Sequence, residues 1–244
     1  MPNSPLQIGV LIALGFIPSL IWLLLFIRED SKHPEPKYLI SRTFLFGIIV
    51  APLVVFFQWL GCNLLSSIAH VNGCNELSQN LTFIFLGFAA FIEEYFKYWV
   101  VKVTVLNRSD FDEPIDAMIY MITAAVGFAA IENILVLFNV IPNGIEQTLS
   151  TWILRFTGAT LLHVLASAII GYFLAISWFW HNHRKKLLTL GIVVATLIHL
   201  GFNFSILSGN YLGGNLLGLM IIGIFVLVFF HKLKVLVPHQ TSEG

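Results

Sequence analysis

Seven long apolar stretches, separated by short polar ones, dominate the hydrophobic pattern of the chain. A helix that crosses a bilayer needs about 20 predominantly apolar residues. The stretches lie at residues 7–27, 39–61, 81–103, 115–139, 152–180, 187–207 and 214–231. Because each is about long enough to span a membrane as a helix, the pattern predicts an all-α, polytopic transmembrane bundle of about seven helices.

Composition supports this prediction. Of the 244 residues, 57% are hydrophobic and only 11% are charged, whereas a soluble domain is about 25% charged. The first stretch ends in Arg28, Glu29 and Asp30 without a small-residue cleavage pattern, so we expect a retained helix. We therefore expect residues 1–244 to form a single integral membrane domain in the lipid bilayer. The net charge of zero gives no indication of a nucleic-acid partner.

The distribution of positive charge predicts the orientation. Lysine and arginine occur in alternate connections, whereas residues 62–80, 140–151 and 208–213 contain neither. Since cytoplasmic loops carry an excess of these residues, the N-terminus is predicted outside and the C-terminus in the cytoplasm. Cys62 and Cys74 then lie on the oxidising side, which makes them a candidate disulfide pair.

Ionisable and amide side chains lie well inside four consecutive stretches. Charge inside a bilayer is costly and usually marks a functional site. The concentration of these residues on neighbouring helices predicts one shared interior site. Its candidate members are Glu93, Glu94 and Lys97 on the third helix, Glu132 and Asn133 on the fourth, His163 on the fifth, and His199 and Asn203 on the sixth.

The adjacent glutamates are the strongest signal. Lys97 lies four residues after Glu93 and three after Glu94, so it can pair with either on one helix face. One ammonium cannot neutralise both carboxylates, which indicates a functional pair. The i,i+4 spacing to Lys97 favours Glu93 as the residue that activates water.

Two kinds of hydrolytic chemistry fit this set of side chains. A carboxylate in an apolar setting can act as a general base towards water. Two histidines and a glutamate are also a common ligand set of catalytic zinc, which leaves His163, His199, Glu93 and Glu94 as metal candidates. Ser167 follows His163 by four residues, but a serine mechanism is disfavoured. The alternative to an enzyme is an ion- or proton-coupled transporter, or a ligand-binding membrane protein, that uses the same polar cavity.

The motifs resemble those of a known family. The segment Glu93–Lys97 resembles the EExxK motif of the PrsW family of intramembrane proteases, within the superfamily of CAAX proteases. Residues 113–117 are similar to its EPxDG segment, with Ala117 in place of the usual glycine. Residues 127–133 resemble its GFA..EN segment, and His199 with Asn203 resembles its HxxxN motif.

The resemblance implies an intramembrane endopeptidase of regulated proteolysis in a bacterial inner membrane, with a catalytic core at about residues 81–207. Its substrate would be a membrane-anchored protein such as an anti-sigma factor. Within the family the mechanism is argued both as zinc-dependent and as a metal-free glutamic type. Mapped onto this chain, the catalytic residues would be Glu93, Glu94, His163 and His199, with Lys97, Glu132, Asn133 and Asn203 in support.

Overall fold

The computed structural model describes residues 4–30, 33–209 and 213–236, and these ranges are almost entirely helical. No strand occurs among them, so the predicted all-α class is confirmed. A π-helical segment, Arg155–Ala159, joins the helices Ile145–Leu154 and Thr160–Phe179 without a break. The helices are α1 (Pro5–Phe26), α2 (Lys37–Ala69), α3 (Gln79–Thr104), α4 (Asp116–Val140), α5 (Ile145–Leu154), α6 (Thr160–Phe179), α7 (Arg184–Leu207) and α8 (Gly213–Leu236).

Each predicted apolar stretch falls largely within a helix, but two predicted loops are wrong in part. Helix α2 continues to Ala69 and ends where His70 adopts a left-handed conformation and its N–H caps the last turn. Residues 145–151, predicted as loop, begin α5 after Gly144, whose φ of 106° suits glycine. Both segments were predicted as loops because their composition is polar. A helix near a membrane surface can nevertheless carry many polar residues. The structure joins Cys62 and Cys74 in a disulfide between α2 and the following loop.

Helix α3, predicted to span the membrane, carries four charged residues and is not among the helices that are apolar enough to cross a membrane. Six other segments in the described ranges are long and apolar enough to cross a membrane. They are Pro5–Glu29, Lys37–Ala69, Asp116–Asn143, Ile145–Phe179, His181–Leu207 and Asn215–Val235. Helix α3 has 26 residues, a length of about 39 Å, but Glu93, Glu94, Lys97 and Lys102 lower its hydropathy. It packs against α2, α4 and α7, and Glu93, Glu94 and Lys97 are buried in these contacts, whereas Lys102 is exposed.

Helix α4 forms the centre of the bundle and contacts α1, α2 and α6. Its residues from Asp116 to Ala130 are all buried. Small residues allow neighbouring backbones to approach it closely. A Cβ added to Gly127 would lie 2.2 Å from the carbonyl oxygen of Phe44 on α2, and one added to Gly171 on α6 would lie 2.6 Å from the Cα of Met118. These crossings bring the polar positions of α4 and α6 face to face.

The segment before α4 anchors the connection between α1 and α2. The Asp116 carboxylate accepts hydrogen bonds from the backbone N–H groups of Asp112 and Glu113, which closes the loop onto the helix start. The Tyr120 hydroxyl donates to Glu35, and burial raises the pKa of the Glu35 carboxyl. The EPxD-like segment thus contributes structure at the helix end, as expected for an acidic helix start.

The close α2–α4 crossing predicts a strong effect of a single methyl group. We expect Gly127→Ala to lower the free energy of unfolding by about 1–3 kcal/mol, because the methyl overlaps the Phe44 carbonyl and the helices must separate. Gly201→Ala on α7 is the matched control, since a Cβ there has no atom within 4 Å. Thermal unfolding in detergent measures both variants. Equal unfolding temperatures of the two variants would contradict the close packing of α2 against α4 at Gly127.

Candidate active site inside the helix bundle

Seven of the eight predicted site residues meet in the interior of the bundle. Helix α3 contributes Glu93, Glu94 and Lys97, and α4, α6 and α7 contribute the rest. All are buried except Glu132, whose side chain is 31% exposed. The eighth predicted residue, Asn203, does not join this cluster. It is half-buried and makes no hydrogen bond within the described ranges. It lies one turn beyond His199 on α7, and its predicted place in the site rested on that spacing and on the resemblance to the HxxxN motif.

Glu94 is the most completely bonded carboxylate. Its Oε1 accepts a hydrogen bond from the Lys97 ammonium at 2.7 Å and contacts Nδ1 of His199 at 2.9 Å. Its Oε2 accepts from the Ser167 hydroxyl at 3.2 Å. The i,i+4 pairing of Lys97 with Glu93, on which the preference for Glu93 as the water-activating residue was based, is therefore wrong. The ammonium forms its ion pair with Glu94 at i,i+3, where both side chains are fully buried.

The hydrogen-bond partners assign the tautomers of both histidines. Lys97 lies 2.7 Å from Nδ1 of His163, and since an ammonium has only donors, this Nδ1 is the acceptor. The proton of His163 is then on Nε2, which donates to Oε2 of Glu132 at 2.8 Å. For His199, the Glu94 carboxylate beside Nδ1 accepts its N–H, which leaves the Nε2 lone pair directed towards Glu93.

Glu93 differs from the other two glutamates. Its Oε1 accepts a hydrogen bond from Gln58 of α2 at 2.8 Å. Its Oε2 is buried and has no hydrogen-bond partner among the residues that the structure describes. This oxygen lies 3.6 Å from Nε2 of His199 and 3.9 Å from Nδ1 of His163. One carboxylate oxygen therefore faces two imidazole nitrogens without a direct bond to either.

This arrangement fits a divalent metal ion. Glu93, His163 and His199 each offer one ligand atom, and these atoms lie within 4.8 Å of one another. Two nitrogens and one oxygen match catalytic zinc sites, which keep a further position for water. The unbonded Oε2 of Glu93 is the atom that such an ion would satisfy. Glu94, also a metal candidate by sequence, is outside this group, and its oxygens contact Lys97, His199 and Ser167. Nδ1 of His163 accepts from Lys97 in this structure, so a metal ion bound there would replace that hydrogen bond.

Sequence reasoning missed several partners of these residues. Arg155 binds Glu132 through Nη2 at 2.7 Å and Asn133 through Nε at 2.5 Å, and Asn133 also donates to Thr160 at 3.0 Å. Gln58, which donates to Glu93, lies near the end of the apolar stretch 39–61 and was not among the predicted site residues. Arg155 carried a usable signal, because it is the only Lys or Arg between Arg108 and Arg184.

The chain resembles known proteins over most of its length. A sequence profile described as "PrsW family intramembrane metalloprotease" matches residues 35–231. A protein named Protease PrsW from Oceanobacillus iheyensis is 34% identical over 200 residues, which cover 82% of this chain and 83% of the relative. Proteins of that name from Geobacillus kaustophilus and Bacillus subtilis are each 28% identical and cover 83% and 80% of this chain, and 84% and 81% of their own lengths. No solved structure matches the chain.

The buried Lys97–Glu94 pair predicts an asymmetric response to substitution. Lys97→Met leaves the Glu94 carboxylate without its cation, and we expect a loss of about 3–5 kcal/mol in the free energy of unfolding. Adding Glu94→Gln removes the unpaired charge and should restore part of that loss. Lys102→Met, an exposed position on the same helix, is the control. Denaturant unfolding of the three variants measures the effect, and a double variant no more stable than Lys97→Met would contradict the pairing.

Proposed function

Because the chain belongs to the PrsW family of intramembrane metalloproteases and is therefore an intramembrane peptidase, we propose that Glu93, His163 and His199 form its hydrolytic centre. One observation carries this proposal. Oε2 of Glu93 faces both imidazoles and lacks a hydrogen bond within the described chain, whereas Glu94 and Glu132 are each bonded to a cation. A water or a metal ion between Glu93 and the histidines would supply the missing partner.

Glu93 is the residue that we propose to activate water. A water beside Oε2 loses a proton to Glu93 as its oxygen attacks the carbonyl carbon of the scissile peptide bond. The C–N bond then breaks, and the leaving nitrogen takes the proton that Glu93 received. The histidines flank this point, and their neighbouring carboxylates keep each ring in one orientation.

The same three residues would hold zinc in the metal-dependent form of the centre. A bound zinc ion would acidify water and polarise the scissile carbonyl. Glu94 then has a different role from the direct one that the resemblance implied. It holds Nδ1–H of His199, so that Nε2 is directed into the site, as carboxylates beside metal-binding histidines commonly do.

The substrate that we propose is a membrane-anchored protein, anti-sigma-factor-like, cleaved in or near its membrane segment. We propose a location in the bacterial inner membrane, with the N-terminus outside and the C-terminus in the cytoplasm, from the alternation of charged and uncharged connections. The catalytic core comprises about residues 81–207 of one membrane domain. It includes α3, α4, α6 and α7, which carry the glutamates and histidines.

Proteolysis that depends on Glu93 is the direct test of this function. The purified protein is added to bacterial inner-membrane vesicles, and newly formed N-termini are labelled and identified by mass spectrometry. We expect new termini in or near the membrane segments of single-span proteins. Glu93→Gln should lower their yield at least about 100-fold, because the water loses its base. Glu76→Gln in the loop before α3 is the control. Termini that persist in Glu93→Gln would contradict the assignment.

Metal content tests the second part of the proposal. We expect about one zinc per chain in the purified wild-type protein by elemental analysis, and much less in His163→Ala and His199→Ala, because each loses a ligand. His183→Ala, in the turn before α7, should retain the metal. Chelation should remove both zinc and proteolysis. Activity that survives complete chelation would contradict the zinc form and leave Glu93 as the base of a glutamic centre.

A further inference from the structure

Arg155 is unusual because it is a cationic residue inside a candidate membrane span. It is the only Lys or Arg between Arg108 and Arg184, and it lies within the candidate span Ile145–Phe179. Its side chain is only 15% exposed. A guanidinium at such a position is costly and rarely occurs without a function. It also begins the π-helical segment Arg155–Ala159, a feature that is frequent at functional sites.

The contacts of Arg155 lead to the proposed hydrolytic centre. Its Nη2 lies 2.7 Å from Oε2 of Glu132, and its Nε lies 2.5 Å from Oδ1 of Asn133. The planar guanidinium thus binds two adjacent residues of α4, which a lysine ammonium cannot match in geometry. The same Oε2 of Glu132 accepts the Nε2–H of His163 at 2.8 Å. Arg155 and His163 therefore meet on a single carboxylate oxygen.

The π segment explains how both residues reach Glu132. Arg155 and His163 are eight residues apart, which in a regular α-helix places them about 80° apart around the axis. A π turn takes up about one extra residue, so the effective separation becomes seven residues and the two positions differ by about 20°. The widened turn therefore puts the guanidinium and the imidazole on nearly the same face, towards α4.

Arg155 also determines which carboxylate remains without a cation. The network contains three glutamates and, within the described residues, two permanent cations. Lys97 pairs with Glu94 and Arg155 pairs with Glu132, so Glu93 is left to face the histidines. Without Arg155, Glu132 would be a second uncompensated carboxylate beside His163. The ring would then keep only its bond from Lys97 at Nδ1, and the Glu132 carboxylate that accepts its Nε2–H would no longer be held in place.

We propose that Arg155 is a positioning residue for the hydrolytic centre. It holds the Glu132 carboxylate, which accepts the Nε2–H of His163 and, together with Lys97 at Nδ1, fixes the ring beside Glu93. The kinetic consequence rests on the proposed function, whereas the state of the ring does not. Two measurements therefore separate a failure of this proposal from a failure of the proposed function.

The first measurement is the tautomer of His163, read from nitrogen chemical shifts of the protein labelled with ¹⁵N-histidine. His163→Asn identifies the signals of this ring. In the wild type we expect a protonated Nε2 and an unprotonated Nδ1. In Arg155→Met we expect the Nε2 signal to shift, because Glu132 no longer holds the Nε2–H in place, while Lys97 still donates to Nδ1. Thr157→Val, within the same π segment, should keep the wild-type signal. If Arg155→Met does not fold, Arg155→Lys gives the comparison, because it cannot bind Glu132 and Asn133 together. Unchanged His163 signals in the folded variant overturn the proposal.

The second measurement is cleavage of the single-span protein that gives the most new termini with the wild type. Arg155→Met should lower kcat about 10–100-fold with little change in KM, because it acts through His163 and not on substrate binding. In a Glu132→Gln background the same change should have almost no further effect. An unchanged kcat, or an equal loss in both backgrounds, overturns the positioning role. A wild type that cleaves nothing overturns the proposed function, and the His163 signals still decide the role of Arg155.

Discussion

The ammonium of Lys97 is the interaction on which the rest of the site depends. It lies in a fully buried position, donates to Glu94 on its own helix and to His163 on α6, and sits 4.9 Å from the centre of the Phe128 ring of α4. A charge in such surroundings is tolerated only when its partners satisfy it. These contacts join three helices and assign the tautomer of His163. Lys97 also binds Oε1 of Glu94, whose Oε2 accepts from Ser167, so that Glu93 remains as the carboxylate with an available atom.

Close packing around α4 makes this polar interior feasible. Where backbones cross at Gly47, Gly127 and Gly171, there is no room for side chains between the helices. The polar residues of α3, α4, α6 and α7 therefore face one another across short distances and exclude lipid. Hydrogen bonds in this setting are strong, and an unpaired polar atom is correspondingly costly. The single unbonded oxygen of Glu93 is thus the feature that most needs a water or an ion.

Much of the fold and part of the site could be predicted from the sequence, because the signals for them are local or compositional. Apolar length predicted the helices, and intramembrane charge indicated the helices that share a site. The partner of Lys97 could not be predicted, since both glutamates lie at favourable spacings and only the position of His163 on another helix decides between them. The π turn at Arg155 has no periodic signature, so its link to Glu132 was missed. The supporting role of Asn203 stays a prediction, because its shared helical phase with His199 is not matched by a shared contact in the structure.

An experimental density map of the wild-type protein in lipid nanodiscs tests the central claim most directly. The account predicts that Glu93, His163 and His199 surround one density feature, a zinc ion or a water, while the Lys97 ammonium is bonded to Glu94 and the Arg155 guanidinium to Glu132. A map in which Lys97 is bonded to Glu93, or in which Glu93 is turned away from both histidine rings, would contradict it.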